Sequence, residues 1–234
     1  MSTTIRTVQF TKAQAILRAV TASNDIAAVY GPPGSGKSRA VEHFLTQDPS
    51  MHGRAWRRLQ MPYRPSPKEL SVRLLRDLGA PTTGTGYELS DRVTETLKGS
   101  NMVITVDEAH HLNASGLQQL RYLHDRSERS WALVLVGSDI DKVLGTAAEL
   151  RSRVSGWADF TPLTGAEMIA TAKQLHPALH ALSNDTIRLV DKRFARGNLR
   201  DWIHFSEQVT RLAGQSAITQ RHIDAALEML TVRR

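Results

Sequence analysis

The eight residues Gly31-Pro32-Pro33-Gly34-Ser35-Gly36-Lys37-Ser38 have the types and the spacing to grip a chain of phosphates. They match the pattern G-x-x-x-x-G-K-[ST] at every fixed position. Gly31, Gly34 and Gly36 allow backbone conformations closed to residues with a Cβ, so that successive N–H groups can turn inward onto phosphate oxygens. Lys37 adds a mobile positive charge for the β- and γ-phosphates, and the Ser38 hydroxyl is suited to hold Mg2+. Arg39, next in sequence, is counted with this loop as a nucleotide contact. The expected ligand is a nucleoside triphosphate with Mg2+.

A second set of reactive groups follows the apolar run Met102-Val103-Ile104-Thr105-Val106, which ends in Asp107 and Glu108. Two neighbouring carboxylates at the ligand-binding edge of a sheet can divide two tasks. Asp107 is expected in the second shell of Mg2+, and Glu108 is expected to polarise and orient the water that attacks the γ-phosphate. His110 completes the string DEAH and His111 follows it, but no second ATPase motif set of the kind a two-lobed helicase needs is present. No cysteine spacing offers a transition-metal site. A third strand-like run, Trp131 to Val136, delivers Gly137-Ser138-Asp139. Ser138 either holds the attacking water or is the N-cap of a helix that starts at Ile140.

These groups need elements to position them. Ile26 to Tyr30 reads as a buried strand feeding the loop, and Ser38 to Leu45 as the helix that leaves it and aims its positive N-terminus at the anion. Further strands are expected at Ala55 to Met61, Met102 to Val106, Trp131 to Val136 and Trp157 to Phe160. Helices are expected at Lys12 to Thr21, Pro67 to Leu78, Glu88 to Lys98, Ser115 to Ser127 and Ile140 to Leu144. The alternation predicts an α/β fold with a parallel sheet covered on both faces. Beyond Phe160 only helical periodicity remains, at Gly165 to Leu175, Asn184 to Ala195, Leu199 to Leu212 and Gln220 to Leu230. The expected division is an N-terminal segment over 1–25, a nucleotide-binding domain over 26–162 and a helical subdomain over 163–234.

Composition narrows the class. The 234 residues include no cysteine, so disulfides and thiolate metal sites are excluded. No apolar run is long enough to cross a bilayer, and the start MSTTIRTVQF lacks the organisation of a secretory signal, so the expectation is a cytoplasmic protein without membrane contact. Thirty Lys and Arg against 23 Asp and Glu leave a net charge of +7, which favours polyanions without naming one.

With these motifs in this order, the chain resembles the AAA+ ATPases over roughly Phe10 to Leu230. Gly31 to Ser38 corresponds to Walker A, Val103 to Glu108 to Walker B, and Ser138 to sensor 1. Leu150-Arg151-Ser152-Arg153-Val154 looks like the segment that supplies an arginine finger, and Gly197-Asn198-Leu199-Arg200 looks like sensor 2. The resemblance implies a three-layer sheet of order 5-1-4-3-2, a C-terminal helical lid, and homo-oligomers, as rings or helical filaments, with ATP between subunits. It makes Arg153, or else Arg151, a guanidinium given to a neighbour's γ-phosphate, worth about 4–7 kcal/mol in the transition state. Arg200 either senses the nucleotide or pairs with Asp201 or another carboxylate of the lid.

The Walker B form VITVDEAHHL and the stretch LVLVGSDIDKVL are most similar to the DNA transposition ATPases of the MuB and TnsC/TniB type. The secretion-associated ExeA-like ATPases share much of that pattern. The first resemblance implies non-specific duplex-DNA binding, assembly on DNA, and target selection for a transposase that the ATPase also stimulates. The alternative it leaves open is an ATPase that loads or remodels a protein partner without touching DNA. Arg54, Arg57, Arg58, Lys68, Arg73, Arg76 and Lys98 are the candidate phosphate contacts, and a solvated basic face is the other reading of each.

Overall fold

The computed structural model describes residues 5–231, so the outermost ends of the first and last expected segments lie outside the described residues. The chain divides into two compact units. One runs over Gln9–Gly31 and Lys37–Phe160. The other combines the residues up to Val8, the loop tip Pro32–Gly36, and the chain from Thr161 onward.

The first unit is built on five parallel strands: β1 (Ile26–Tyr30), β2 (Trp56–Gln60), β3 (Val103–Asp107), β4 (Ala132–Gly137) and β5 (Val154–Asp159). Their order is β2-β3-β4-β1-β5, the 5-1-4-3-2 order expected. The three inner strands read as unbroken apolar runs because helices cover both faces. Val103, Val134, Val136, Ala27 and Val29 point to one face, where they pack with Phe10 and Leu17 of α1 (Val8–Ala22) and with Val41 and Phe44 of α2 (Lys37–Gln47). The alternate residues Ile104, Val106, Leu133, Leu135 and Ala28 point to the other. They meet α3 (Pro67–Leu78), α4 (Gly86–Leu97) and α5 (Ala114–Arg126) through Leu70, Leu74, Leu89, Leu117 and Leu120. By the strand's period of two, Asp107 shares the α2 face with Val103 and Thr105.

Local chemistry fixes the helix ends. Ser66 and Glu69 close a capping box at the start of α3, Pro67 follows, and Gly79 ends the helix in the left-handed region. Thr85 and Glu88 do the same for α4. The fifth strand starts earlier than its apolar residues indicate, because Ser155 is exposed and Gly156 carries no side chain. A Cβ on Gly156 would stand 2.5 Å from Val20 and 2.7 Å from Ile16, so this glycine is what lets α1 lie against the strand. Two short helices, α6 (Ile140–Gly145) and α7 (Ala148–Arg151), link β4 to β5.

The second unit contains α8 (Gly165–Leu175), α9 (Asn184–Val190), α10 (Leu199–Ala213) and α11 (Gln220–Thr231). Its core joins Met168, Ile187, Val190, Phe194, Trp202, Phe205, Ile223 and Leu227. The helix expected to continue to Ala195 changes at Asp191 into a π-helical stretch, Asp191–Ala195. The Asp191 carboxylate accepts the Trp202 indole N–H at 3.0 Å and the Gly197 N–H at 2.7 Å, which explains why the chain turns there. No helix among the described residues is long and apolar enough to cross a membrane.

Candidate functional site

In the first unit, β1 ends at Tyr30 and Gly31 begins the loop. The Gly31 N–H donates to the Ser138 carbonyl at 3.3 Å, which ties the start of the loop to the end of β4. Gly31 has φ +134°, and a Cβ there would lie 2.0 Å from the Phe160 carbonyl oxygen, so no other residue fits. Lys37 is the first residue of α2. It is 8% exposed, and its ammonium donates to the Gly31 carbonyl at 2.7 Å. Ser38 and Arg39 follow on the first turn and are exposed.

On the far side of β4 from β1, β3 delivers its carboxylates. Asp107 is 6% exposed, and its Oδ1 accepts the Glu108 N–H at 3.0 Å. Its Oδ2 accepts from Arg58 twice, from Nε at 3.2 Å and from Nη2. Glu108 stands in the left-handed region at φ +52°, a costly conformation for a residue with a side chain, and it is the residue through which the strand turns out of the sheet. Its carboxylate is exposed, with Oε2 3.2 Å from His110 Nδ1. The same nitrogen lies 3.4 Å from the Ser138 N–H, so its tautomer decides whether it donates to the carboxylate or accepts from the amide. Gly137 makes room for this ring, since a Cβ would come within 2.9 Å of His110 Nδ1.

Ser138 is half-buried at the tip of β4. The N-cap position of α6 is Asp139, one residue on, and no side-chain capping bond is made there. Asp139 instead pairs with Lys142 at 2.6 Å, and that bond holds its carboxyl below the usual carboxylate range, with smaller help from the charges of His110 and Lys37.

The two candidate finger arginines have different surroundings. Arg151 ends α7 and stacks over the Trp157 ring at 5.4 Å. Arg153 donates through Nε to both oxygens of Asp125, at 2.8 and 3.0 Å. Burial works to raise the Asp125 pKa, but the bond and charge of Arg153, with Arg129 and Arg121, bring it below its ordinary value.

The seven basic candidates for phosphate contact do not form one patch. Arg54 donates to the carbonyls of Asn101 and Thr21 at 2.7 and 2.6 Å and to Asn24 Oδ1 at 2.5 Å, and burial lowers its pKa. Arg57 donates to the Asp77 carbonyl at 2.8 Å, and Arg73 pairs with the Asp77 side chain at 3.0 Å. Lys98 pairs with Glu128 at 2.5 Å, and Arg58 is on Asp107. Lys68 and Arg76, both exposed, line with Arg73 an open groove of about 670 Å³ between the end of β2 and α3. Arg54 and Lys98 precede β2 and β3, which places them at the opposite end of the parallel strands from Asp107 and Glu108. The Arg58–Asp107 pair is the contact that sequence reasoning missed. Its only signal was the period of two, which puts residues 58 and 60 on one face and Gln60 opposite Asp107.

In the second unit, the loop tip meets the segment Gly197-Asn198-Leu199-Arg200. Asn198 caps α10 by accepting the N–H groups of Arg200 and Asp201, and its Nδ2 donates to the Pro33 carbonyl at 2.7 Å. The Arg200 N–H also donates to the Gly34 carbonyl at 3.2 Å, while its side chain is exposed. A Cβ on Gly34 would stand 2.3 Å from Asn198 Oδ1, so this glycine is what admits the asparagine. Ser35 is buried with a hydroxyl that has no partner, and it lines a cavity of about 250 Å³ with Pro32, Pro162, Arg196, Asn198 and Asp201.

These donor sets fit the expected ligand. In the first unit, a helix N-terminus and a buried ammonium suit phosphate. A hydroxyl and a carboxylate are the hard oxygen ligands that Mg2+ takes.

Residues 20–143 match the family described as AAA domain. Over 121 residues the chain is 35% identical to the Mu-like prophage FluMu DNA transposition protein B of Haemophilus influenzae, a stretch that covers 50% of this chain and 39% of that relative. Among solved structures, Cdc6p from Pyrobaculum aerophilum superposes with a TM-score of 0.76 at 16% identity, over 97% of this chain and 68% of that one. The ORC2 protein of Aeropyrum pernix, solved in ADPNP–ADP complexes, superposes with a TM-score of 0.72 at 16% identity, over 97% and 69%. At such identities the two structures speak for the fold alone.

Proposed function

The chain belongs to the AAA domain family, and from that premise we propose that it hydrolyses ATP to ADP and phosphate and uses the cycle to assemble on duplex DNA in the service of a transposase. The observation that carries the chemistry is the order β3-β4-β1 of parallel strands, whose ends lead on one edge of the sheet to Asp107 and Glu108, to Ser138, and to the loop before Lys37. The relation to a transposition protein supports the biological half.

The residues divide the work by their chemistry. Backbone N–H groups of the loop and the Lys37 ammonium, released from the Gly31 carbonyl, bind and orient the β- and γ-phosphates. Ser38 and Asp107 would hold Mg2+, which supplies positive charge to the phosphate oxygens when bound. Glu108 orients the attacking water and takes its proton on the carboxylate that now faces His110. Ser138 hydrogen-bonds the same water or the γ-phosphate. Arg153, or Arg151, completes a neighbouring copy's site, so an isolated copy turns over slowly. Arg200 is assigned the role of sensing the nucleotide.

Lys37→Ala should abolish nucleotide binding by calorimetry. Glu108→Gln should bind and assemble as the parent does but lose about 10²–10⁴ in turnover. Equal loss of binding in both variants would contradict the assigned roles. Electron microscopy with duplex DNA and a non-hydrolysable ATP analogue tests the assembly, and failure both to bind DNA and to assemble would overturn it.

A second reading, an ATPase that acts on a protein partner without DNA contact, is favoured by one feature: Arg54, Arg57, Arg58, Arg73 and Lys98 all have partners within the chain. A gel-shift titration in salt separates the two, because only the first requires ATP-enhanced, salt-sensitive affinity.

A further inference from the structure

Asp107 is buried, and a carboxylate in such a place needs a partner. One oxygen has the Glu108 amide. The other has a guanidinium that reaches it along the edge strand, from a position two residues before the register partner of Asp107. The pair is unequal. The Arg58 side chain is 38% exposed and the Asp107 side chain 8%, so the arginine can withdraw into water while the carboxylate stays. A carboxylate offers only acceptor lone pairs, and a guanidinium and a hydrated divalent cation compete for them. Two positive groups on one carboxylate also repel each other.

We infer that Arg58 is the built-in counter-cation of Asp107 and opposes the entry of Mg2+, so that this arginine sets the free Mg2+ concentration at which the protein holds a nucleotide. The inference rests on the reading of Ser38 and Asp107 as the Mg2+ side of a nucleotide site. It replaces the expectation that Arg58 is a DNA contact with a role inside the ATPase. The sign of the effect distinguishes it from a merely structural bond. If Arg58 only oriented Asp107, its loss would weaken the cation site. As a competitor, its loss strengthens the site.

The experiment measures ADP affinity of the full chain by calorimetry across a series of free MgCl2 concentrations and in EDTA, for the parent, Arg58→Gln, Arg58→Lys and Asp107→Asn. Arg58→Gln should shift the Mg2+ midpoint down about two- to fivefold, the range for a partly exposed ion pair. Affinity in EDTA should not change, and Arg58→Lys, which keeps the charge, should stay near the parent. On the Asp107→Asn background the Arg58→Gln shift should vanish. A midpoint that is unchanged or raised in Arg58→Gln overturns the inference, as does a shift that persists without the Asp107 charge. If thermal unfolding shows that Arg58→Gln does not fold, Arg58→Met, which keeps the stem and removes the charge, is read in its place. Failure of the underlying reading looks different: ADP affinity would then be independent of Mg2+ in the parent and in Asp107→Asn alike.

Discussion

Two neighbouring strands of one sheet handle polar residues in opposite ways. In β3 every residue is buried, and the strand's polar end, Asp107, has one place to go. In β2 only Leu59 is buried, and the arginines on either side of the pleat find different partners. Arg58 crosses to Asp107, and Arg57 reaches the end of α3. An inner strand delivers a functional group because packing on both faces leaves its register no freedom. An edge strand with long cationic side chains lets each residue be captured by whichever acceptor is within reach. The inner strands therefore hold their polar ends in one place, and the edge strand lets its cations reach whichever acceptor is near.

The comparison is broken most severely where an inner strand meets its loop. Gly31→Ala would drive a Cβ into the Phe160 carbonyl, a backbone atom that cannot move aside because the Phe160 N–H is itself bonded to the Tyr30 carbonyl at 2.8 Å. The expected cost is about 3 kcal/mol or more in urea unfolding, with loss of nucleotide binding. A variant as stable as the parent would show that the loop can find another path.

That difference between strands also explains how much could be read in advance. The strand Ile26 to Tyr30 and the helices Pro67 to Leu78 and Gly165 to Leu175 have the boundaries their apolar periods and caps indicated. The loop after β1 and the strand that ends at Asp107 were legible because motif and strand pattern agree at Gly31 to Ser38 and at Val103 to Glu108. The start of β5 was hidden by Ser155 and Gly156, whose fitness for a strand depends on α1. The arginine partners were hidden for a related reason. Arg54 and Asn101 lie 47 residues apart, Arg58 and Asp107 49, and nothing local in either segment marks such a pairing.

A middle-sized effect sharpens the contrast among the basic residues. Arg54 is held by three acceptors in a half-buried place, so Arg54→Ala should cost about 1–3 kcal/mol of stability, since carbonyls of Thr21 and Asn101 lose their donors. Arg57 is exposed, and Arg57→Ala should change stability by less than about 1 kcal/mol. Chemical denaturation of the two variants checks this, and equal losses would mean that Arg57 is as structural as Arg54.

The smallest expected effect concerns Lys68 and Arg76, the exposed cations of the groove beside α3. If the DNA reading is right, these two should serve it, because their heads are in water and α3 is held by its own caps and by Leu70, Leu74 and Leu75. Replacing either with alanine should leave folding untouched and reduce the slope of log affinity against log salt by about one, uniformly over DNA sequences. The same replacement at Arg54 would lower affinity only in proportion to the folded protein lost, with the slope intact. An unchanged slope in the Lys68 and Arg76 variants would leave the basic surplus as solvated surface and turn the balance toward a protein partner, whereas a change of slope in Arg54→Ala would mean that the buried cations, and not the exposed ones, face the phosphates.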